Sequence, residues 1–249
     1  MLVDQRRGNI LKTIEELGFV SLQELVDRLG TSESTVRRDL EHLDRIGQIR
    51  RTRGGAAYVG ESLTAFDDRR SRAVGEKQGI GRKAAELIQS GETVLLDGGT
   101  TALEVARNLS GKSLQVVTNS LPIVNLLVGA SEIELLFLGG YLYPKTGVAL
   151  GSLTVAALRQ VHARRFIMST GGITAAGFFN SNSLLVESER QMMDAADEVI
   201  VVADSSKLGH SELAHVCPLS RVHKLVTDAG ITDEWRDVLQ QQNVEVITA

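Results

Sequence analysis

The chain has 249 residues, of which 43% are hydrophobic, and its formal net charge is −4. This length suits two domains with buried cores, and no apolar run approaches the roughly 20 residues of a membrane-spanning helix. The single cysteine, Cys217, excludes an internal disulfide, and neither a secretion signal nor a cluster with metal-ligand spacing is present. We therefore expect a cytoplasmic protein with no metal or other cofactor and no membrane partner.

Three short helices are predicted near the N-terminus from apolar residues at helical spacing. These are Ile10, Leu11, Ile14 and Leu17, then Leu22, Leu25, Val26 and Leu29, then Val36, Leu40 and Leu43. The third helix follows a turn at residues 30–32, where the Ser32 hydroxyl can accept a hydrogen bond from the first helical turn. Three helices with a turn before the third are typical of a helix-turn-helix domain.

The solvent face of the third helix is basic. It includes Arg37 and Arg38, which suit contacts with phosphates and guanine edges in a major groove. An isolated arginine pair occurs just as often on an ordinary solvent-exposed helix face. The neighbouring segments therefore decide between that interpretation and DNA binding. Residues 48–56 predict a short basic hairpin with a Gly-Gly tip, which is typical of a wing. The arginines of this region outnumber its acidic residues, although the whole chain is acidic.

These segments resemble the winged helix-turn-helix of the DeoR family of bacterial transcriptional regulators. The recognition-helix motif T-[IV]-R-R-D-L occurs at residues 35–40 as TVRRDL, and the wing motif G-x-x-x-R-x-x-G-G-A occurs at residues 47–56 as GQIRRTRGGA. The family often has histidine where this chain has Arg53, and the exchange keeps a cation. The resemblance implies a double-stranded DNA operator as partner, contacted by Ser32, Ser34, Thr35, Arg37, Arg38, Arg51 and Arg53.

The pattern then changes to a mixed-charge segment and an α/β domain. We predict an all-α winged helix-turn-helix domain at 1–58, a linker at 59–76 and an α/β domain at 77–249. Strands are predicted at 93–96, 115–117, 133–138, 165–168, 199–203, 224–226 and 245–247, and helices at 78–88, 102–109, 121–127, 153–160, 186–195 and 233–241. Strands separated by such helices imply right-handed crossovers and a mostly parallel sheet.

Polar and glycine-bearing turns follow five of these strands, at the sheet edge where α/β proteins bind ligands. They contain Asp97, Gly98, Gly99, Thr100 and Thr101, then Asn119 and Ser120, then Gly139 and Gly140, then Gly171, and finally Asp204 and Lys207. Glycines let backbone N–H groups approach an anion, and helix N-termini favour negative charge, so a phosphorylated small molecule is the expected ligand. Each Gly-Gly taken singly is more often only a turn, and Asp204 could simply cap the next segment. No G-x-G-x-x-G follows a strand, which disfavours a dinucleotide site.

Residues 97–101, 118–120 and 204–209 resemble the DeoR-type sensor domain, which is similar in fold to ribose-5-phosphate isomerase and binds phosphorylated sugars or related metabolites. The resemblance extends over nearly the whole chain. It implies that residues 97–101, Asn119 and Ser120 hold phosphate or sugar hydroxyls, with Lys207 as the cation. Where the family commonly has G-A-D-G-I, this chain has STGGI at 169–173, so a carboxylate is missing at Gly171. That exchange bears on effector specificity.

The sequence therefore predicts a transcriptional regulator, by family habit a repressor of carbohydrate-metabolism genes, gated by a phosphorylated sugar. We expect a homo-oligomer, dimer or tetramer, because one winged domain buries too little surface for a specific operator. One alternative is a sugar-phosphate isomerase with an accessory DNA-binding domain. Such an enzyme needs a positioned general base, and Asp97 and Asp204 are the only carboxylates at the predicted strand ends, so catalysis is not expected. The other alternative is a constitutive DNA-binding protein whose second domain serves only oligomerisation.

Overall fold

The computed structural model describes residues 3–17, 19–45, 49–52, 54–58 and 66–249, and the chain divides into two compact units, Met1–Ala65 and Phe66–Ala249. Across the described residues, no helix combines the length and apolar character needed to span a bilayer. The second unit begins at Phe66 and not at residue 77, because Phe66 packs against the core of that unit. Residues 66–76, assigned to the linker from the sequence, thus belong to the second unit.

The first unit consists of three helices and a small antiparallel sheet. In chain order its elements are α1 (Val3–Leu17), β1 (Phe19–Ser21), α2 (Leu22–Leu29), α3 (Glu33–Arg45), β2 (Ile49–Arg51) and β3 (Gly55–Tyr58). The sheet order is β1-β3-β2, so a third strand joins the predicted hairpin. The sequence did not reveal β1, since three residues are too few to show strand alternation. Apolar residues from all three helices form one core, including Ile10, Ile14, Leu25, Val36 and Leu40.

The turn between α2 and α3 is fixed by capping groups at both helices. Gly30 has a φ of +59°, a left-handed conformation that glycine adopts without strain, and its N–H donates to the Val26 carbonyl at 3.0 Å. Ser32 accepts a hydrogen bond from the Thr35 N–H at 3.3 Å, as expected of an N-cap. The geometry of a helix-turn-helix therefore follows from residues within the turn itself.

The second unit is a three-layer α/β domain. Its helices are α4 (Phe66–Arg70), α5 (Val74–Glu86), α6 (Thr100–Arg107), α7 (Leu121–Leu127), α8 (Ser152–Leu158), α9 (Ser183–Asp194) and α10 (Asp233–Gln241). Its strands are β4 (Thr93–Leu96), β5 (Leu114–Thr118), β6 (Ile133–Phe137), β7 (Tyr141–Tyr143), β8 (Val148–Leu150), β9 (Ala163–Ser169), β10 (Gly172–Thr174), β11 (Gly177–Asn180), β12 (Ala196–Val202), β13 (Ala214–Cys217), β14 (Lys224–Thr227) and β15 (Glu245–Thr248).

The seven predicted strands form one parallel sheet with the order β15-β14-β12-β9-β4-β5-β6. Alternate residues of each strand enter two different cores. Leu95, Phe166 and Val201 face the side covered by α8, α9 and α10, whereas Leu96 and Ile167 face α5, α6 and α7. Burial on both faces explains why these strands are continuous apolar runs in the sequence.

Two smaller sheets were not predicted. β7 and β8 form an antiparallel hairpin, and β10, β11 and β13 form a three-stranded antiparallel sheet. These strands have three or four residues and contain no apolar alternation long enough to be recognised. The β7–β8 hairpin follows the carboxyl end of β6, β10 and β11 follow that of β9, and β13 follows that of β12. Both small sheets therefore lie at the edge where the predicted ligand residues are found.

Candidate functional site

The carboxyl ends of four neighbouring parallel strands, β12, β9, β4 and β5, lie side by side. Leu96 is paired with Thr118 on one side and with Ile167 on the other, and Ser169 is paired with Val202. The segments that follow these strands therefore meet at one edge of the sheet, which we call the strand-end edge: residues 97–101, 119–120, 169–171 and 204–207. All the sequence-predicted ligand residues except Gly139 and Gly140 belong to it.

Gly139 and Gly140 lead from β6 into the β7–β8 hairpin. A Cβ at Gly140 would lie 2.2 Å from the Thr154 hydroxyl oxygen, and that hydroxyl donates to the Gly139 carbonyl at 2.8 Å. Gly140 thus allows the hairpin to pack closely against α8, whereas a Cβ at Gly139 would meet no atom within 4 Å. The contacts of both residues are structural.

Asp97 organises the loop between β4 and α6. Its carboxylate is 6% exposed and accepts hydrogen bonds from the N–H groups of Gly98, Gly99 and, at 3.1 Å, Ser169. Burial raises the pKa of Asp97, while these N–H groups act in the opposite direction and favour the charged form. The carboxylate therefore already uses the loop N–H groups that the sequence suggested for a bound anion.

Gly98 and Gly99 are required by close packing around that loop. A Cβ at Gly98 would lie 1.9 Å from a methyl carbon of Val148, and a Cβ at Gly99 would lie 2.1 Å from the Ser169 hydroxyl oxygen. Ser169 in turn accepts a hydrogen bond from the Ala102 N–H in the first turn of α6, at 3.2 Å. The two glycines bring β8, β9 and the α6 N-terminus together.

Asn119 and Ser120 are buried at the end of β5, with 2% and 1% exposure. Ser120 caps α7 by accepting from the Ile123 N–H, and the Asn119 amide donates to the Ala149 carbonyl at 2.9 Å. The Asn119 Oδ1 atom is buried and has no hydrogen-bond partner among the described residues. A buried acceptor without a partner costs about 1–3 kcal/mol, which a hydroxyl of a bound molecule could recover.

Asp204 and Lys207 follow β12 in a single turn of 3₁₀ helix. The Asp204 carboxylate caps this turn by accepting from both the N–H and the hydroxyl of Ser206. The capping interpretation left open by the sequence is therefore correct for this residue. Lys207 is 9% exposed, so the edge contains a largely buried cation.

The space beside Gly171 is occupied by another carboxylic acid side chain. A Cβ at Gly171 would lie 2.9 Å from the Glu212 Cγ atom, and the Gly171 N–H donates to the Phe179 carbonyl at 3.0 Å. Glu212 thus brings a carboxyl-bearing side chain close to the position where the family commonly has aspartate. Sequence reasoning missed it because it lies far along the chain.

A second residue that was missed is Glu189 on α9. Its side chain is 2% exposed, its Oε1 atom accepts from the Asn180 amide at 2.5 Å, and its Oε2 atom has no partner among the described residues. Burial, followed by the charge of Asp97, raises the pKa of Glu189 well above its ordinary value. Glu189 therefore adds a buried carboxyl, on a helix and not at a strand end, to Asp97 and Asp204. The available signal was helical spacing, since Glu189 shares the buried face of α9 with Val186 and Met193.

The raised pKa of Glu189 predicts a pH-dependent stability. The unfolded chain loses this proton near the ordinary value of 4.5, before the folded chain does, so stability falls as pH rises from there through the folded pKa. We expect Glu189→Gln to reduce the fall in melting temperature between pH 5 and pH 8. The matched control is Glu187→Gln, an exposed neighbour on α9. Equal pH slopes for wild type and Glu189→Gln would contradict the assignment.

The first unit presents a basic surface on α3 and the β2–β3 hairpin. Arg37 and Arg38 are exposed, and so are Ser32 and Ser34, whereas Thr35 is half-buried. Arg37 is paired with Glu33 at 2.6 Å, and Arg51 is paired with Glu41 at 2.9 Å. Arg53 lies outside the described residues. The polar side chains predicted to contact DNA, as far as they are described, therefore belong to one helix, the turn before it and the adjoining hairpin.

Asp39 on α3 has a different role from its neighbours Arg37 and Arg38. It is 2% exposed, and its two carboxylate oxygens accept from Arg6 at 2.6 Å and from Arg7 at 3.0 Å. Burial alone would raise the pKa of Asp39, but the two guanidinium groups outweigh it and lower the pKa below its ordinary value. Asp39 thus connects α3 to α1.

Both units match models of one protein family. The model described as the DeoR-like helix-turn-helix domain matches residues 6–62, and the model described as the DeoR C terminal sensor domain matches residues 72–229. The chain belongs to the DeoR family of transcriptional regulators. It is a DNA-binding regulator with a winged helix-turn-helix unit and an α/β sensor unit.

Relatives within the DeoR family match over nearly the full length. The HTH-type transcriptional regulator YulB of Bacillus subtilis (strain 168), described as uncharacterized, is 32% identical over 99% of this chain and 96% of its own. The HTH-type transcriptional regulator UlaR of Escherichia coli (strain K12 / DH10B) is 28% identical over 98% of each chain.

Solved structures resemble the DeoR-family chain more distantly. Ribose 5-phosphate isomerase A from Methanocaldococcus jannaschii is 18% identical, over 53% of each chain, with a TM-score of 0.39. The Pyrococcus horikoshii OT3 translation initiation factor eIF-2B is 15% identical, over 88% of this chain and 81% of its own, with a TM-score of 0.42. These values are too low to support an inference about activity.

Two further features of the described residues bear on metal and thiol chemistry. No group of three His, Cys, Asp or Glu side chains there has the arrangement of a metal site. Cys217, the last residue of β13, is buried, and burial raises the pKa of its thiol to about 12. The thiol is therefore protonated at neutral pH.

Proposed function

We propose that this regulator is a repressor of carbohydrate-metabolism genes whose DNA binding is weakened by a phosphorylated sugar held at the strand-end edge. The observation that carries the proposal is the composition of that edge. It combines a largely buried cation, Lys207, with a buried acceptor at Asn119 that has no partner among the described residues. A phosphate group can form a charge-assisted hydrogen bond with a lysine ammonium, and a sugar hydroxyl can donate to the Asn119 acceptor.

DNA recognition is assigned to the exposed polar side chains of α3 and the hairpin. We propose that Ser32, Ser34, Thr35, Arg37, Arg38, Arg51 and Arg53 contact the operator, with α3 in the major groove. Arg38 is the favoured base-reading residue, because it is exposed and no ion pair joins it to a described residue. Arg37 and Arg51 must each give up an intramolecular partner before they can bind a phosphate or a base.

The working form is proposed to be a homo-oligomer in the cytoplasm, with two winged units on neighbouring operator half-sites. Support comes from apolar side chains exposed at the β6 edge of the sheet and on the adjoining hairpin: Leu136, Phe137, Tyr141 and Leu142. Clustered exposed apolar residues of this kind are typical of interaction surfaces. The domains proposed for these roles are residues 1–58 and the α/β unit.

The direct test uses fluorescence anisotropy on a duplex from the upstream region of the gene. The full chain is titrated at two salt concentrations, without and with each member of a panel of sugar phosphates. We expect one ester to weaken sequence-selective binding. Lys207→Gln should leave DNA binding unchanged without ester and raise the effective ester concentration about tenfold, because a charge-assisted phosphate contact is lost. Lys83→Gln, on exposed α5 surface, is the control. An unchanged ester response in Lys207→Gln would contradict this assignment.

A sugar-phosphate isomerase-like activity is the second candidate. The specific observation in its favour is Glu189, a buried carboxyl with a raised pKa close to Asp97, since proton abstraction next to a carbonyl needs a positioned base. We propose that the regulator does not turn its effector over. Conversion of the DNA-releasing ester to its isomer, abolished in Glu189→Gln, would replace this proposal by the enzymatic one.

A further inference from the structure

The short helix α4 is fixed at the rim of the strand-end edge. The Phe66 N–H donates to the Lys145 carbonyl in the turn of the β7–β8 hairpin, at 3.0 Å. The ammonium of Lys77, a buried residue of α5, donates to the Arg69 carbonyl at 2.6 Å. Both ends of α4 are thus held by residues of the second unit.

The hairpin that holds α4 also covers the loops of the strand-end edge. Val148 packs against Gly98, and its neighbour Gly147 accepts a hydrogen bond from the Leu121 N–H at 2.8 Å. Movement of the loop after β4 or of the loop after β5 therefore displaces the hairpin and, through the hydrogen bond to Lys145, also α4.

Arg69 on α4 is near enough to Asp97 for their charges to interact. Its guanidinium lies 6.0 Å from the centre of the Phe66 ring, and its Nε and Nη2 atoms are shielded from solvent. The charge of Arg69 favours the ionised form of Asp97 and opposes the rise in the pKa of that carboxyl caused by burial. A second cation, supplied by a segment that sequence reasoning assigned to the linker, is therefore close to the first residue of the predicted effector loop.

We propose that Arg69 is a further effector-binding residue, whose guanidinium pairs with the phosphate group of the effector alongside Lys207. The inference rests on the proposed function, because it assumes that a phosphate monoester binds at the strand-end edge. A guanidinium offers two parallel N–H donors to phosphate oxygens, a geometry that a single ammonium cannot provide. Two cations of different shape at one edge suit a doubly charged monoester.

The position of Arg69 in the chain gives this contact a regulatory consequence. α4 is the first helix after the residues that join the two units, so an effector that binds Arg69 acts on the segment leading directly to the DNA-binding unit. An effector shifts DNA affinity only if it binds the two arrangements of the protein differently. Pairing with Arg69 makes effector affinity depend on the position of α4, at the start of the second unit.

The test is isothermal titration of the full chain with inorganic phosphate at constant ionic strength. Arg69→Gln is expected to raise the Kd at least tenfold, and Arg69→Lys, which keeps the charge but not the paired donors, about threefold. The matched control is Arg70→Gln, the exposed neighbour on the same helix, which should stay within twofold of wild type. Melting temperatures and circular dichroism spectra of all variants show whether each one is folded.

The outcomes separate the two proposals. Phosphate binding that is weakened by Lys207→Gln but unchanged in folded Arg69→Gln and Arg69→Lys would overturn the role of Arg69 and leave the proposed function standing. A wild-type chain that binds neither inorganic phosphate nor any ester of the panel would overturn the proposed function, and the role of Arg69 with it. Weakening in both Arg69 variants, with Arg70→Gln unaffected, supports the inference.

Discussion

Asp39→Asn is expected to destabilise the DNA-binding unit by about 2–4 kcal/mol. The substitution removes the charge that both Arg6 and Arg7 approach, in a position that is 2% exposed. Loss of one partner from a buried ion pair typically costs about 3–5 kcal/mol, and the arginines here are partly exposed, which lowers the expected cost. Since α3 is attached to α1 through this contact, DNA binding should be lost together with stability.

Hydrogen exchange measured by mass spectrometry resolves this effect by element. Peptides from α1 and α3 should exchange faster in Asp39→Asn, whereas peptides from the parallel sheet should not change. The control is Asp27→Asn, an exposed residue of α2 whose carboxylate accepts a hydrogen bond from Gln23, an exposed residue of the same helix. Because the pKa of Asp39 is lowered, its contribution to stability is present at neutral pH and is lost as pH falls from its ordinary value of 3.8 through the folded pKa. Unchanged exchange in α1 and α3 would refute the structural role.

Arg38→Ala is expected to weaken operator binding by about 1–3 kcal/mol, or roughly 5- to 150-fold in Kd, without destabilising the fold. Arg38 is exposed on α3 and has no ion-pair partner to lose among the described residues, so its full interaction is available to DNA. Arg37→Ala should reduce the free energy of operator binding by less, because Arg37 must break its ion pair with Glu33 before it can bind DNA. The measurement is anisotropy with the operator duplex and with a random duplex of equal length.

The comparison of the two duplexes distinguishes base reading from phosphate contact. A loss confined to the operator identifies Arg38 as a base-reading residue, and an equal loss on both duplexes identifies a phosphate contact and overturns the base-reading assignment. Arg28→Ala is the matched control, because Arg28 is an exposed arginine of α2 that is paired with Glu24. It should leave both affinities within about twofold of wild type.

The parallel sheet could be predicted because its strands are buried on both faces. β4 occupies residues 93–96 as expected, and the other six strands differ from their predicted bounds by a few residues. β1 and the two small sheets could not be predicted, since strands of three or four residues depend on partners distant in sequence. The start of the second unit was placed too late because the short helix α4 is charged, and only packing of Phe66 against the core assigns it to that unit.

The sequence predicted where the strand-end edge lies. It predicted the roles of the residues at that edge less completely. Parallel topology alone places Asp97, Asn119 and Asp204 at one edge. The sequence did not show that Val148 leaves no room for a side chain at Gly98. Nor did it show that the N–H groups of the loop donate to the Asp97 carboxylate. Glu189 was missed for a general reason. A charged residue in an amphipathic helix is expected to be exposed, and its burial becomes evident only when the neighbouring elements are in place.

The protonated state of Cys217 has a consequence for signalling. Oxidants and electrophiles react with thiolates, and a buried thiol with a pKa of about 12 offers almost none of that form at neutral pH. The chain has no other cysteine. Oxidants and thiol-reactive metabolites therefore meet almost no cysteine thiolate in this chain at neutral pH, so an oxidant that changes DNA binding has to act on other side chains, such as the four methionines.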